Sequence, residues 1–127
     1  MQLGYTILYV DDVRASLDFY GRAFGLATRF LHESGDFGEL DTGTTALAFC
    51  SRALLAQLGK QPGRPDAGRP QFEVALVTGD VPAAYQHALA AGATPMQAPE
   101  DMPWGQTVAY VADPEGFLVE LCTPVGA

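Results

Sequence analysis

The sequence has little of three features that would narrow its function at once: cysteine, basic residues and long apolar runs. Its 127 residues include two cysteines, Cys50 and Cys122, far apart and outside any CxxC spacing. They indicate neither a disulfide framework nor a zinc ribbon. No apolar run approaches the roughly 20 residues that a bilayer span needs, and the amino-terminal MQLGYTILYV lacks the features of an export signal. A soluble, cytoplasmic protein with no membrane partner is therefore expected.

The shortage of basic residues gives the chain a strongly acidic balance. Seven Lys and Arg stand against fifteen Asp and Glu, for a formal net charge of -8. Such a surface repels phosphate backbones, so nucleic acid is not an expected partner. The same charge favours cationic ligands over anionic ones.

Apolar periodicity divides the chain into two similar halves. A β-rich run at 3–10 precedes Asp12, an amphipathic helical stripe and Gly25; a second run at 72–77 precedes Asp80, another stripe and Gly92. Short β candidates follow each helix, at 27–34, 37–41 and 45–51 and then at 94–98, 106–112 and 117–123. The pattern predicts an α+β fold of two βαβββ modules, 1–58 and 71–127, joined by an exposed Gly- and Pro-rich linker at 59–70 into one compact structural unit.

The stretch VADPEGFLVEL places Glu120 in an apolar strand behind a hairpin turn. Pro114 presets φ for the turn and Gly116 can take its left-handed position, so that Asp113 pairs with Phe117. Counting outward from that pair puts Tyr110 opposite Glu120, since side chains alternate along each strand. The other face of this hairpin is wholly apolar and is predicted to pack against the helices. It comprises Ala109, Val111, Val119 and Leu121.

The same alternation assigns further side chains to the face turned away from the helices. Glu73 shares it in the second half, and Tyr5, Ile7 and Tyr9 take the equivalent place in the first. A face that mixes acids, aromatics and small residues suits a small-molecule pocket, although an oligomer interface has a similar composition. The alternative to a ligand-binding role is that each acid is a structural carboxylate or is simply solvated.

Three stretches resemble the vicinal oxygen chelate superfamily, which includes glyoxalase I, extradiol dioxygenases, fosfomycin-modifying enzymes and bleomycin-resistance binding proteins. They are YTILYVDDVRASLDFYGRAFGL, FEVALVTGDVPAAYQHALAAGA and WGQTVAYVADPEGFLVELCTP. The resemblance implies that the paired modules close a cup-shaped, barrel-like mixed sheet with helices outside, completed in a homodimer. One scaffold hosts several chemistries, so the fold alone does not give the function.

Enzymes of this group hold a divalent metal with one His, Gln or Glu from each of four strands. Carried over by resemblance, these positions are Tyr5, Ala48, Glu73 and Glu120. Only the two glutamates are good ligands, because a neutral phenol binds metal poorly and alanine not at all. His32 and His87 are expected at the surface and do not complete the set. No metal or other cofactor is expected.

This departure from the metal site resembles that of the antibiotic-binding members of the superfamily. The resemblance implies a binder that sequesters a cationic or aromatic ligand, such as an antibiotic, in a cup at the dimer interface. The candidate ligand-binding residues are Glu73, Glu120, Trp104, Tyr110 and Tyr5, with Trp104 alternatively a hydrophobic plug. The competing hypothesis is a metal-dependent lyase, isomerase or dioxygenase that uses Glu73 and Glu120. A third hypothesis is a dimer whose cup is filled by its own side chains. No catalytic residue is identified, and neither cysteine is expected to act as a nucleophile.

Overall fold

The computed structural model describes residues 1–126 and divides the chain into two units, Met1–Arg64 and Pro65–Ala127. The division falls inside the Gly- and Pro-rich stretch 59–70. Each unit contains a helix and a four-stranded mixed sheet, as the α+β prediction requires. No helix among the described residues is both long and apolar enough to cross a bilayer.

The first unit contains four strands and two helices. Their bounds are β1 Tyr5–Val10, α1 Val13–Phe24, β2 Thr28–Leu31, β3 Phe37–Leu40, β4 Ala46–Ser51 and α2 Arg52–Gln57. The sheet order is β1-β4-β3-β2, in which β1 and β4 run parallel and the other neighbours antiparallel. The βαβββ prediction is confirmed, and the six-residue helix α2 follows β4 directly.

The second unit repeats this plan with β5 Val74–Val77, α3 Val81–Ala90, β6 Thr94–Asp101, β7 Thr107–Ala112 and β8 Leu118–Cys122. Its sheet order is β5-β8-β7-β6, with β5 parallel to β8. Several predicted bounds were wrong by more than one residue: β1 and β5 begin two residues later than expected, β2 ends three residues earlier, and β6 continues through Pro99 to Asp101 across two register shifts against β7. Such irregularities admit a proline that an unbroken ladder would exclude.

Both main helices begin where the sequence predicts. Asp12 and Asp80 accept hydrogen bonds from the backbone N–H groups of Ala15 and Ala83, at 3.0 and 3.1 Å. Each carboxylate satisfies an amide that the first helical turn leaves without a partner. Gly25 ends α1 with φ at 71°, a conformation that costs glycine little.

The predicted strand parity holds in both sheets. Leu8, Val10, Leu47 and Phe49 are buried in the first unit, and Tyr20 of α1 packs edge-on against Phe49 with ring centroids 5.0 Å apart. In the second unit α3 packs against β6, β7 and β8. The four hairpin side chains expected beneath it are all buried, namely Ala109, Val111, Val119 and Leu121.

The sequence predicts only that the linker 59–70 is exposed, but the structure also shows specific side-chain contacts that hold it. Arg64 donates from Nη1 and Nη2 to the two carboxylate oxygens of Asp11, at 2.8 and 3.2 Å. Arg52 of α2 donates to the same carboxylate at 3.0 Å. Hydrogen bonds from Arg64 and then Arg52 lower the pKa of Asp11. One acid thus connects the middle of the linker to the loop before α1.

Gly38 on β3 lets α1 approach its sheet closely. A Cβ there would stand 2.7 Å from Leu17 Cδ1 and 3.1 Å from Val13 Cγ1. We expect Gly38→Ala to lower the free energy of unfolding by about 1–3 kcal/mol, because a packed interior must move to admit a methyl group. Urea unfolding followed by circular dichroism measures this loss.

Gly4→Ala is the matched control, since a Cβ at Gly4 meets nothing within 4 Å. It should change the stability by less than about 1 kcal/mol. Equal stability of the two variants would contradict the close packing of α1 on β3.

Candidate functional site

The turn before Glu120 is built around one buried carboxylate. Asp113 Oδ1 accepts three backbone hydrogen bonds, from the N–H groups of Glu115, Gly116 and Phe117 at 3.0, 2.9 and 2.8 Å. The backbone N–H of Asp113 also donates to the carbonyl of Phe117 at 3.0 Å, which is the closing pair that the sequence predicts. Gly116 adopts a φ of 106°. These contacts fix the register of β7 on β8.

That register brings together three of the predicted site residues. Tyr110 pairs with Glu120 across β7 and β8, and Ala75 of β5 pairs with Glu120 on its other side. Tyr110 Oη donates to Glu120 Oε1 at 3.3 Å. Glu73, just before β5, lies near enough to Glu120 and Tyr110 that both of them change the pKa of its carboxyl group. The sequence-derived face assignment of these three side chains is confirmed.

Glu120 favours the protonated form of Glu73. A hydrogen bond from Glu73 to Glu120 is the largest cause that raises the pKa of Glu73, to about 7. Burial and the negative charge of Glu120 raise this pKa further, while the hydrogen bond with Tyr110 opposes them. Near neutral pH the pair therefore changes between one negative charge and two.

Tyr110 completes the group as a neutral hydrogen-bond donor. Burial first, and then the charges of Glu120 and Glu73, raise the pKa of its phenol to about 12. The phenol keeps its proton at physiological pH, so it donates to whichever carboxylate oxygen is ionised. We call Glu73, Tyr110 and Glu120 the acidic cluster.

The acidic cluster has no basic partner within residues 1–126. The arginine ion pairs there include those with Asp18, Glu39 and Asp11, and neither Glu73 nor Glu120 is among the acids paired in this way. No positive charge is among the causes of the raised pKa of Glu73. Two neighbouring carboxylates without a counter-charge cost free energy, and a cation placed between them would relieve that cost.

Trp104 lies in the loop between β6 and β7, with 59% of its surface exposed. Its indole Nε1 donates to Gln106 Oε1 at 2.8 Å, and the Gln106 amide donates to the Thr123 carbonyl at 2.9 Å. Sequence reasoning missed Gln106, which is buried. Its shared parity with Val108 and Tyr110 is the signal that could have found it.

Tyr5, the fifth candidate, belongs to the first unit. It lies on the face of β1 that is turned away from α1, pairs with Ala46 and is 56% exposed. Ile7 and Tyr9 follow it on that face, also exposed. Its role as a ligand contact stays a prediction. His32 and His87 are exposed, as expected.

The comparisons with known proteins place this geometry in a family. The model of the Glyoxalase/Bleomycin resistance protein/Dioxygenase superfamily matches residues 2–121. The chain belongs to this superfamily.

The curated relatives of this chain are themselves described as uncharacterized. An uncharacterized protein of Mycobacterium tuberculosis is 34% identical over 123 residues, covering 93% of this chain and 72% of that protein. Uncharacterized protein YraH of Bacillus subtilis is 27% identical and spans 95% of this chain and 97% of its own. Among solved structures, a glyoxalase-related enzyme from Fulvimarina pelagi is 26% identical with a TM-score of 0.82, covering 100% of this chain and 94% of that one.

The divalent metal of the superfamily's enzymes does not fit the donors present here. Of the four carried-over positions, Glu73 and Glu120 offer carboxylates, whereas Tyr5 offers a phenol and Ala48 a buried methyl group. Across residues 1–126 no three His, Cys, Asp or Glu side chains form a group that could hold a metal ion. Protein-held sites for divalent metals generally draw on three or more such donors.

The cysteines do not supply a nucleophile. Burial and then Asp36 raise the pKa of Cys50, and burial and then Glu120 raise the pKa of Cys122. Both thiols are buried. A protonated, buried thiol is a poor nucleophile, which supports the sequence-based interpretation.

Proposed function

We propose that this protein is a small-molecule binding protein whose ligand carries a cationic group, held by the carboxylates of Glu73 and Glu120. The observation that carries the proposal is the proximity of Glu73 to Glu120, which the register of β5 on β8 places on one face and which raises the pKa of Glu73, with no basic group among the causes. A cation would take the place of the shared proton and gain two charged contacts. Tyr110 offers a ring beside the carboxylates, which suits a cation further.

Ligand capture without conversion fits this site better than catalysis does. The donor set does not fit a divalent metal, and the thiols are not nucleophiles. An antibiotic sequestered by a homodimer is the form of this proposal that the superfamily resemblance suggests. Thermal stabilisation across a panel of cationic and neutral antibiotics tests that narrower form.

The direct test uses tetramethylammonium as the smallest cationic probe. At about pH 8, where the shared proton has left, calorimetry should show saturable binding to the wild type. Glu120→Gln should weaken it about tenfold, because one of the two charges around the cation is lost. No saturable binding to the wild type would overturn the proposal.

Glu33→Gln is the charge-matched control. Glu33 is exposed in the first unit, outside the acidic cluster, so its substitution changes the net charge equally. Its affinity for tetramethylammonium should equal that of the wild type. An equal loss in both variants would mean that net charge alone, and not the acidic cluster, attracts the cation.

The metal-dependent lyase, isomerase or dioxygenase remains the competing hypothesis, with Glu73 and Glu120 as ligands and water or substrate as the others. We expect protein dialysed against Mn²⁺, Ni²⁺, Zn²⁺ or Fe²⁺ to retain much less than one equivalent, because two carboxylates alone hold such ions weakly. Elemental analysis after gel filtration measures this content. Stoichiometric metal that Glu120→Gln abolishes would favour the enzyme instead.

A further inference from the structure

Gln106 joins two features of the second unit that the sequence treats as separate. Its Oε1 accepts from the Trp104 indole at 2.8 Å, and its amide donates to the Thr123 carbonyl at 2.9 Å. Gln106 lowers the pKa of the Cys122 thiol and Glu120 raises it, so both side chains act on this residue of β8. Hydrogen bonds therefore connect the exposed indole to the end of β8, the strand that carries Glu120.

The register places these groups on one face of the sheet. Gln106, Val108 and Tyr110 share parity along and just before β7, and Val108 and Tyr110 pair with Cys122 and Glu120. At roughly 3.4 Å of rise per residue, Gln106 lies about 13 Å from Tyr110 along the strand. The indole is therefore held at one end of this face, and the carboxylates lie at its other end.

We propose that Gln106 is a positioning residue that fixes the Trp104 indole as a second contact surface, and so gives preference to ligands that carry an aromatic ring on the order of 10 Å from their cation. Without the Gln106 acceptor, an exposed indole next to Gly105 and Pro103 would sample several rotamers, and each contact would then cost ordering entropy. A buried amide with both its groups bonded is suited to hold one rotamer. This inference rests on the proposed cation-binding function.

The test compares a long aromatic cation, 6-phenylhexyltrimethylammonium, with tetramethylammonium. We expect the wild type to bind the aromatic probe about fivefold more tightly, the advantage that one aromatic contact provides. Gln106→Met keeps the side-chain length but removes the acceptor, and should abolish most of this advantage while leaving tetramethylammonium affinity unchanged. Trp104→Ala should have the same effect, and the double variant should lose no more than Trp104→Ala alone.

Trp104 is the chain's one tryptophan, so its fluorescence reports the tether directly. Gln106→Met should lower the anisotropy of the indole and increase its quenching by acrylamide. Trp104→Phe, which retains Gln106 and a ring but lacks the indole N–H, should also lose the aromatic advantage and serves if Gln106→Met does not fold.

Failure of the Gln106 proposal can be distinguished from failure of the proposed cation-binding function. Unchanged anisotropy and quenching in Gln106→Met would overturn the positioning role whether or not any cation binds. If the indole becomes mobile in Gln106→Met but the variant still binds the aromatic probe more tightly than tetramethylammonium, as the wild type does, the role of Gln106 in specificity would be overturned. Absence of tetramethylammonium binding to the wild type would overturn the proposed function, while the fluorescence result would still decide whether Gln106 holds Trp104.

Discussion

Lowering the pH from about 8 to 5 should weaken tetramethylammonium binding by up to about tenfold. The pKa of Glu73 is raised to about 7 by its hydrogen bond with Glu120, by burial and by the charge of Glu120. The fully ionised pair is the form that receives a cation best, and its population falls below that pKa. The loss of affinity levels off near tenfold, the difference expected between two charges and one, because the protonated pair keeps one carboxylate. Calorimetric titration at several pH values measures the slope.

Glu73→Gln is the control for this pH dependence. It removes the titrating carboxyl, so binding should be weaker than in the wild type at about pH 8 and nearly flat down to pH 5. Proton release on binding, measured in buffers of different ionisation enthalpy, should disappear as well. A wild-type affinity that does not change between pH 5 and 8 would show that the shared proton does not compete with the cation.

The same pKa shift has a definite sign in stability. The pKa of Glu73 is higher in the folded chain, about 7, than its ordinary value of 4.5, so the native state keeps a proton that the unfolded chain loses. Its contribution therefore favours folding at low pH and is lost as the pH rises between these two values. Glu73→Gln should be more stable than the wild type at pH 8 by about 1 kcal/mol, after allowance for solvent screening of an exposed side chain.

Asp113→Ala should lower the free energy of unfolding by about 3 kcal/mol and the midpoint of thermal unfolding by roughly 10 °C. Asp113 is 4% exposed, and its Oδ1 accepts three backbone N–H groups of the turn before β8. Alanine would leave these donors without their charged acceptor in a part-buried turn. Differential scanning calorimetry measures both quantities.

Asp113→Asn separates the acceptor from the charge. The asparagine carbonyl can still accept from the same amides, so the loss should be about 1 kcal/mol. Because the turn fixes the register of Glu120, Asp113→Ala should also weaken cation binding, whereas Asp113→Asn should not. A loss of less than about 1 kcal/mol in Asp113→Ala would contradict the structural role of its three hydrogen bonds.

Strand parity made much of the second unit predictable from sequence. The turn DPEG fixes one pair, and alternation then determines every partner along β7 and β8, which is why Tyr110 and Glu120 were correctly placed together. Glu73 followed from the same rule even though it precedes β5. Capping by Asp12 and Asp80 was equally accessible, since it depends on residues three positions apart.

Contacts between distant segments were not predictable in the same way. The ion pair of Arg64 with Asp11 joins residues far apart in sequence, and no local pattern indicates it. Gln106 hydrogen-bonds both a neighbouring loop and the end of β8, so its role appears only when the sheet is assembled. The extension of β6 through Pro99 was missed because proline normally argues against a strand.

The parallel pairing of β5 with β8 has a consequence for the order of folding. The hairpin of β7 and β8 closes through a short turn, whereas β5 reaches β8 only after a loop of roughly 40 residues has closed, which is slower. Tyr110 and Glu120 therefore meet early, and Glu73 arrives when the sheet is nearly complete. The repulsion between the two acids then burdens the native state more than the folding transition state, so the wild type should unfold faster than Glu73→Gln at pH 8 while folding at a similar rate.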